Sequence, residues 1–382
     1  MENPLQTIVQ TATSLFQSLV PGKDTKSILG VDVGSSSIKV VQLKRRRGTA
    51  VLETYGELAL GPYADMEVGR ATNLSPEKLA EALKDIIAEA NVTATSCGVS
   101  IPFSASLITV ITLPKVDKGQ LANMIPIEAR KYIPVPISEV TLDWFVIPEE
   151  EEQYLSREEA EQSASAQEKV QVLLVAIHKE TLNKYQQVLK DVGLDVSFYE
   201  IEIFSTIRAV LGQGVEPVMV IDIGAASTKV YIVEFGIVKV SHLINKGSQD
   251  ITLALSRSDS TSVINAEKTK REVGLLNDTN NPQTRKTILL TLEYIFSQAN
   301  RVLLNYQRKY NRSIGKVIFT GGGAVLKGLQ EEAKNHFSTD VIIADPFAKT
   351  QTPAFLENVL KQVGPEFAVA VGAALRKLEE LK

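Results

Sequence analysis

Residues 28–43, ILGVDVGSSSIKVVQL, carry an apolar run to an aspartate, turn through a glycine and three serines, and resume as an apolar run. Residues 218–233, VMVIDIGAASTKVYIV, repeat the device in the other half of the chain. Both read as apolar run, Asp, apolar, Gly, three small residues, one variable residue, Lys, apolar run. Such runs, rich in β-branched residues and broken by a glycine turn, predict β-hairpins. An element that recurs once per half-chain predicts two similar lobes with a ligand between them. At 382 residues the chain is long enough to form both.

An acid beside a glycine and hydroxyl-rich turn suggests a phosphate wrapped by backbone. Gly34 and Gly224 free the turns of side chains, so that successive N–H groups can meet phosphate oxygens. Ser35, Ser36 and Ser37 add hydroxyls in the first turn; Ser227 and Thr228 follow Ala225 in the second. Lys39 supplies positive charge. Asp32 and Asp222 suit Mg²⁺ held through its waters, because magnesium keeps its hydration. A third element, FTGGGAVLKGL, places Gly321, Gly322 and Gly323 between an expected strand and helix, where backbone can approach something flat or anionic. Leu326 stands where a Rossmann fingerprint needs glycine, and no Walker A loop is present. In NAEKTKREVG, Glu267, Lys270 and Gly274 fall on one helical face. Each piece alone is weak, since a Glu-x-x-Lys pair is usually a surface ion pair. Four in this order, one of them repeated, carry the weight.

The remaining composition mostly excludes. A net charge of −4 argues against non-specific nucleic-acid binding. A single cysteine, Cys97 in SCGVSIP, precludes an intramolecular disulfide and reads as a buried strand thiol. No uninterrupted apolar window reaches membrane-spanning length, and the N-terminus lacks the pattern of a signal peptide, so a cytoplasmic chain is expected. Residues 1–26 contain an amphipathic segment, NPLQTIVQTATSLFQSLV, too rich in Thr and Ser to stand alone as a helix in water. Docking on its own domain or a frayed tail is its plain reading; docking on a membrane protein or a bilayer is the sharper one. Residues 149–169 are acidic and nearly devoid of apolar side chains, which predicts a solvated loop between strands near 139–147 and 170–177.

The order of these motifs resembles the actin-like ATPase superfamily, which includes actin, sugar kinases, chaperone ATPases and the division protein FtsA. DVGSSSIK and DIGAASTK resemble its two phosphate loops and TGGGAVLKGL its adenosine motif. AEKTKREVG resembles its ribose- and adenine-contacting helix. IEIFSTIRAV, with Glu202, and FAVAVGAAL sit where the helices connecting the lobes belong. MIPIEARKYIPVPISEVTLDWFVI and LLVAIHKETLNKYQQVLKDVGLDV narrow the resemblance to the PilM family of cytoplasmic type IV pilus assembly proteins, over about residues 28–377.

That resemblance implies a two-lobed α/β actin-like fold with ribonuclease H-like cores and an FtsA-like insertion of the SHS2 type. The implied division is 27–104 plus 196–215 for the first lobe, 105–195 for the insertion, and 216–250 plus 316–382 for the second lobe, with 251–315 its helical subdomain. It also implies ATP and Mg²⁺ in the cleft, and a groove for the cytoplasmic N-terminal peptide of a PilN-like inner-membrane protein. The chain would then be peripheral to the inner membrane through that partner and other platform proteins, in pilus assembly or a related secretion machine. Whether it forms a homo-oligomer is left open. The second turn departs from the family pattern in having Ala225 and Ala226 where a more glycine-rich turn is usual. Hydrolysis is expected to be slow or absent, because only Glu202 offers itself as a water-positioning or basic group. Two rival readings keep the same fold. A small-molecule kinase would need a base, for which Asp143 in TLDWF is the candidate; an FtsA-like filament former would need a membrane helix that LRKLEELK does not supply.

Overall fold

The computed structural model describes residues 27–148, 168–212, 214–276 and 282–380. The amphipathic segment 1–26 and nearly all of the acidic stretch 149–169 lie outside them. The first predicted hairpin pairs β1 (Ile28–Val33) with β2 (Ser37–Arg46), and β2 pairs in turn with β3 (Thr49–Ala59). α1 (Pro76–Glu89) opens with Pro76 and with the Ser75 hydroxyl accepting from the Lys78 N–H at 3.4 Å, as the Ser-Pro-Glu start predicts. Leu79, Leu83 and Ile86 bury its inner face against the sheet, and β4 (Ser96–Ile101) runs parallel to β1.

The chain then builds a second layer from β5 (Ser106–Pro114), α2 (Lys118–Ala129), β6 (Val140–Val146) and β7 (Lys169–His178). These strands form a three-stranded antiparallel sheet in the order β5-β7-β6, with Ile111, Leu121, Ile125 and Leu174 in its core. α3 (Lys179–Val192) ends at Gly193, whose φ of 81° closes the helix as its sequence position predicts. β8 (Asp195–Ile201) completes the first sheet, in the order β3-β2-β1-β4-β8. α4 (Glu202–Val210) leads to the second half.

There β9 (Val218–Ile223), β10 (Thr228–Glu234) and β11 (Ile237–Ile244) repeat the opening meander. α5 (Ser248–Ser258), α6 (Val263–Glu272) and α7 (Pro282–Tyr310) precede β12 (Lys316–Thr320). α8 (Leu329–Lys334), β13 (Asp340–Ile343), α9 (Glu357–Val363) and α10 (Ala368–Glu380) follow. The second sheet has the order β11-β10-β9-β12-β13, with two antiparallel and then two parallel neighbours. This repeats the first sheet strand for strand. The repeat in the sequence is therefore a repeat of topology. It sets Asp32 and Asp222 at the carboxyl ends of equivalent strands, where open α/β sheets bind ligands.

Two segments lie elsewhere than expected. α10, grouped by sequence with the second lobe, packs on β1, β2 and α4 instead. Its small residues are the reason. A Cβ on Gly30 of β1 would lie 1.9 Å from the Ala370 carbonyl oxygen, and one on Gly372 would lie 1.8 Å from that of Ser205 in α4. α3, grouped with the insertion, buries Tyr185, Val188 and Leu189 in the first-lobe core beside α1. A buried ion network fastens the crossing. Glu200 of β8 accepts from Arg208 of α4 at 2.7 Å and from Arg376 of α10 at 2.9 Å. Gly372→Ala is expected to cost about 2–3 kcal/mol or more in denaturant unfolding, because neither helix backbone can give way cheaply; a loss under about 0.5 kcal/mol would contradict this packing.

Candidate functional site

Both hairpin tips open into one cavity of about 1170 Å³ between the lobes. Asp32, Gly34, Ser35, Ser36, Ser37 and Lys39 line it from the first lobe. Asp222, Gly224, Ala225, Ser227 and Lys229 line it from the second. Glu202, Glu267, Lys270 and the run Gly321, Gly322 and Gly323 also face it. Two residues expected to bind nucleotide do not. Thr228 is fully buried and its hydroxyl donates to the Lys246 carbonyl at 2.8 Å. Gly274 lies behind the wall at φ 60°, where a Cβ would come within 2.7 Å of the Lys327 carbonyl oxygen. That close approach, with Leu275 N–H donating to the same oxygen at 2.8 Å, holds the end of α6 against the glycine loop.

The turns are built alike. Gly34 N–H donates to the Ser37 carbonyl at 3.0 Å, and Gly224 N–H to the Ser227 carbonyl at 2.9 Å. Neither glycine has a positive φ; a Cβ would instead press on that same carbonyl at 2.9 or 3.0 Å. The outer carbonyls are tied back: Ser35 O accepts from Thr72 N–H, Ser36 O from Leu60 N–H, Gly224 O from Ser248 N–H and Ala225 O from Gln249 N–H. Among the described residues, no protein acceptor takes the N–H groups of Ser35, Ser36, Ala225 and Ala226. Two turns with these carbonyls tied back and these four amides free form a cradle for an anion.

The three glycines differ in their reasons. A Cβ on Gly321, at φ 82°, would sit 2.3 Å from Asp222 Oδ1, and one on Gly323 would sit 2.2 Å from Ile223 Cγ2. A Cβ on Gly322 would make only an ordinary contact, 3.7 Å from Glu366. The close approach at two of the three is therefore to β9 itself. Opposite this loop, Glu267 of α6 is 2.6 Å from Lys270 Nζ and 2.7 Å from Arg271 Nε, and it accepts from the Thr252 hydroxyl at 2.6 Å. The pair expected on one helical face is therefore a largely buried, hydrogen-bonded wall. Burial pushes the Lys270 ammonium pKa down despite Glu267.

The acids are not equivalent. Asp32 accepts from the Ser100 hydroxyl at 3.2 Å, and burial raises its carboxyl to about 6, with Lys39 opposing. Asp222 is ion-paired with Lys229 at 2.9 Å. Lys229 also reaches Glu202 at 2.7 Å, across the lobes. The other Glu202 oxygen accepts from Phe103 N–H at 2.7 Å, so the candidate for water positioning also links the two lobes. Lys39 lies against Ser37 Oγ at 2.6 Å and Glu57 at 3.1 Å. Lys229 occupies the position in the second hairpin that Lys39 occupies in the first, so the repeat contained its signal. Glu57 and Glu366 also line the cavity, and no motif pointed to them. Asp143 lies on β6, accepts from Trp144 N–H, and is not among the lining residues. Cys97 is buried in β4, and its thiol is pushed up to about 12 by burial, as an inert strand residue would be.

Twin sheets, paired hairpins and a shared cleft define an actin-like ATPase fold. The fold is similar to that of the ethanolamine utilization protein EutJ from Carboxydothermus hydrogenoformans, at 14% identity and TM-score 0.53, over 97% of this chain and 99% of that one. MreB5 of Spiroplasma citri bound to ADP is similar at 12% identity and TM-score 0.51, over 94% and 100%. Within this class, the chain belongs to the type IV pilus assembly protein PilM family, whose model matches residues 30–378. A solved PilM-PilN type IV pilus biogenesis complex contains a chain similar to it at 23% identity and TM-score 0.75, over 91% of this chain and 98% of that one.

The raised Asp32 carboxyl gives a signed expectation for the ligand-free protein. Its folded pKa lies above the unfolded value, so the native state binds more protons between about pH 4 and 6 and loses stability as the pH rises through that window. In EDTA, Asp32→Asn should therefore stabilise the fold at pH 8, by up to about 2–3 kcal/mol, and change little near pH 4. Denaturant unfolding at both pH values measures this, and equal effects at the two would contradict it.

Proposed function

We propose that this chain is an ATP-binding cytoplasmic adaptor of the type IV pilus assembly platform, which holds the cytoplasmic N-terminal tail of a PilN-like inner-membrane protein. One observation carries the nucleotide half of the reading: both acid-tipped hairpins, with their free amides, and the glycine loop open onto one cavity. The triphosphate would lie between Ser35, Ser36 and Lys39 on one side and Ala225, Ala226 and Ser227 on the other. The nucleoside would lie between the Glu267–Lys270 wall and Gly321, Gly322 and Gly323. The ADP bound in the MreB5 structure supports a nucleotide in this fold. Membership of the PilM family and the similar chain in the PilM-PilN complex support the partner.

The donor set fits a nucleotide better than a protein-built metal cage. Among the described residues, no group of three or more His, Cys, Asp or Glu is arranged to hold a metal. Where magnesium accompanies the nucleotide, Asp32 would hold it through water, and the ion would offset phosphate charge. Asp32 orients, Lys39 and the turn amides bind, and Glu202 braces the lobes. None of these acts as a base, which favours slow or absent hydrolysis. Among the described residues, no helix is long and apolar enough to cross a membrane, so the membrane would be reached through the partner.

Calorimetry with ATP and Mg²⁺ tests the site. Lys39→Ala and Lys270→Ala should each weaken binding about tenfold or more, about 1.4 kcal/mol. Unchanged affinity in both would remove the assignment. Titration with a PilN-like tail peptide tests the adaptor role: saturating ATP should tighten peptide binding about fivefold or more, and peptide should tighten ATP by the same factor. No binding in either nucleotide state would contradict it.

A further inference from the structure

The two hairpins carry the same cross-strand pairs, Asp32 opposite Lys39 and Asp222 opposite Lys229, yet the lysines serve different ends. Lys39 stays within its own lobe, on Ser37 and Glu57. Lys229 Nζ lies 2.9 Å from Asp222 Oδ2 and 2.7 Å from Glu202 Oε2, joining β10 of the second lobe to the first residue of α4. The side chains of Lys229, Asp222 and Glu202 are only 10%, 5% and 14% exposed. Glu202 cannot turn away without leaving the Phe103 N–H, bonded to it at 2.7 Å, without its acceptor.

We propose that the Lys229 ammonium fills the place of a divalent cation at Asp222, clasping the lobes before nucleotide arrives and making nucleotide binding largely independent of Mg²⁺. The part concerning nucleotide rests on the reading above; the clasp and the exclusion of metal do not. The physical argument is one of competition. A metal entering at Asp222 must break its buried ion pair with Lys229 and sit beside that ammonium, which Glu202 holds in place, so two cations would share one carboxylate. Magnesium also gives up its waters reluctantly, so it gains little from one carboxylate already neutralised. Asp222 and Glu202 both act electrostatically on Asp32, and Lys229 offsets that repulsion. Without Lys229, the three acids would share the cavity with Lys39, itself paired with Glu57, and with Lys270 and Arg271, both paired with Glu267. That is an environment which would recruit a cation. Lys229 is thus a positioning residue that sets the metal requirement of the site.

The test uses the full chain and two probes, Mg²⁺ alone and ATP with either Mg²⁺ or EDTA. With Mg²⁺ alone, millimolar metal should leave the wild-type Tm within about 1 °C and raise that of Lys229→Met by about 3 °C or more. With ATP, wild-type affinity should differ by less than about fivefold between Mg²⁺ and EDTA, and that of Lys229→Met by about tenfold or more. A wild type as metal-dependent as the variant, by either probe, overturns the proposal. If Lys229→Met does not fold, Asp222→Asn decides: the ratio of ATP affinities in Mg²⁺ and EDTA should match wild type, and a change in that ratio overturns the proposal. If ATP binds neither protein under any condition, the nucleotide reading fails, while the comparison in Mg²⁺ alone still decides what Lys229 does.

Discussion

The cleft exists because two helices meet where only glycine fits. α10 rests on β1 at Gly30 and on α4 at Gly372, with backbone approaches that leave no room for a methyl group. α4 also contributes Ile203 and Phe204 to the core containing Val218, Val220 and Tyr231 of the second sheet. The helix pair therefore ties the two sheets into one body and fixes the distance between the hairpin tips. Glu200, Arg208 and Arg376 reinforce the crossing from within. A buried triad of this kind is weak evidence for stability but holds one geometry among competitors.

On that frame the site combines order with unrelieved charge. The Ser35, Ser36, Gly224 and Ala225 carbonyls are satisfied, and the Ser35, Ser36, Ala225 and Ala226 amides are left over. Asp32 is buried and its carboxyl raised, whereas Asp222 is neutralised by a lysine from the neighbouring strand. Two sheets with one topology thus present unlike acids to the same cavity. The difference lies in the partner: Lys39 turns to an acid of its own lobe, and Lys229 reaches to the other.

What could be read from the sequence follows the range of the interactions involved. The hairpins were legible because strand, turn and acid are local, and their repetition pointed to two lobes. The α6 pair was legible from helical spacing. The places of α3 and α10 were not: FAVAVGAAL signals a buried small-residue helix, but nothing local says which sheet it lies on. Thr228 followed the serines by composition, yet its hydroxyl is used by the Lys246 carbonyl. Gly274 matched a motif, yet serves the packing of the loop at Lys327. Lys229 stood in plain view in the repeat; its role depends on Glu202, an acid on a different element of the other lobe. The resemblance to the PilM family supplied the class directly, since the motifs on which it rested span most of the chain.

The central claim is that both hairpins grip one triphosphate. A structure of the chain crystallised with a non-hydrolysable ATP analogue measures this most directly. The account predicts the terminal phosphates between the turns at 34–37 and 224–227, with the base beside Lys270. Nucleotide held by one turn alone, or bound away from both, would contradict it.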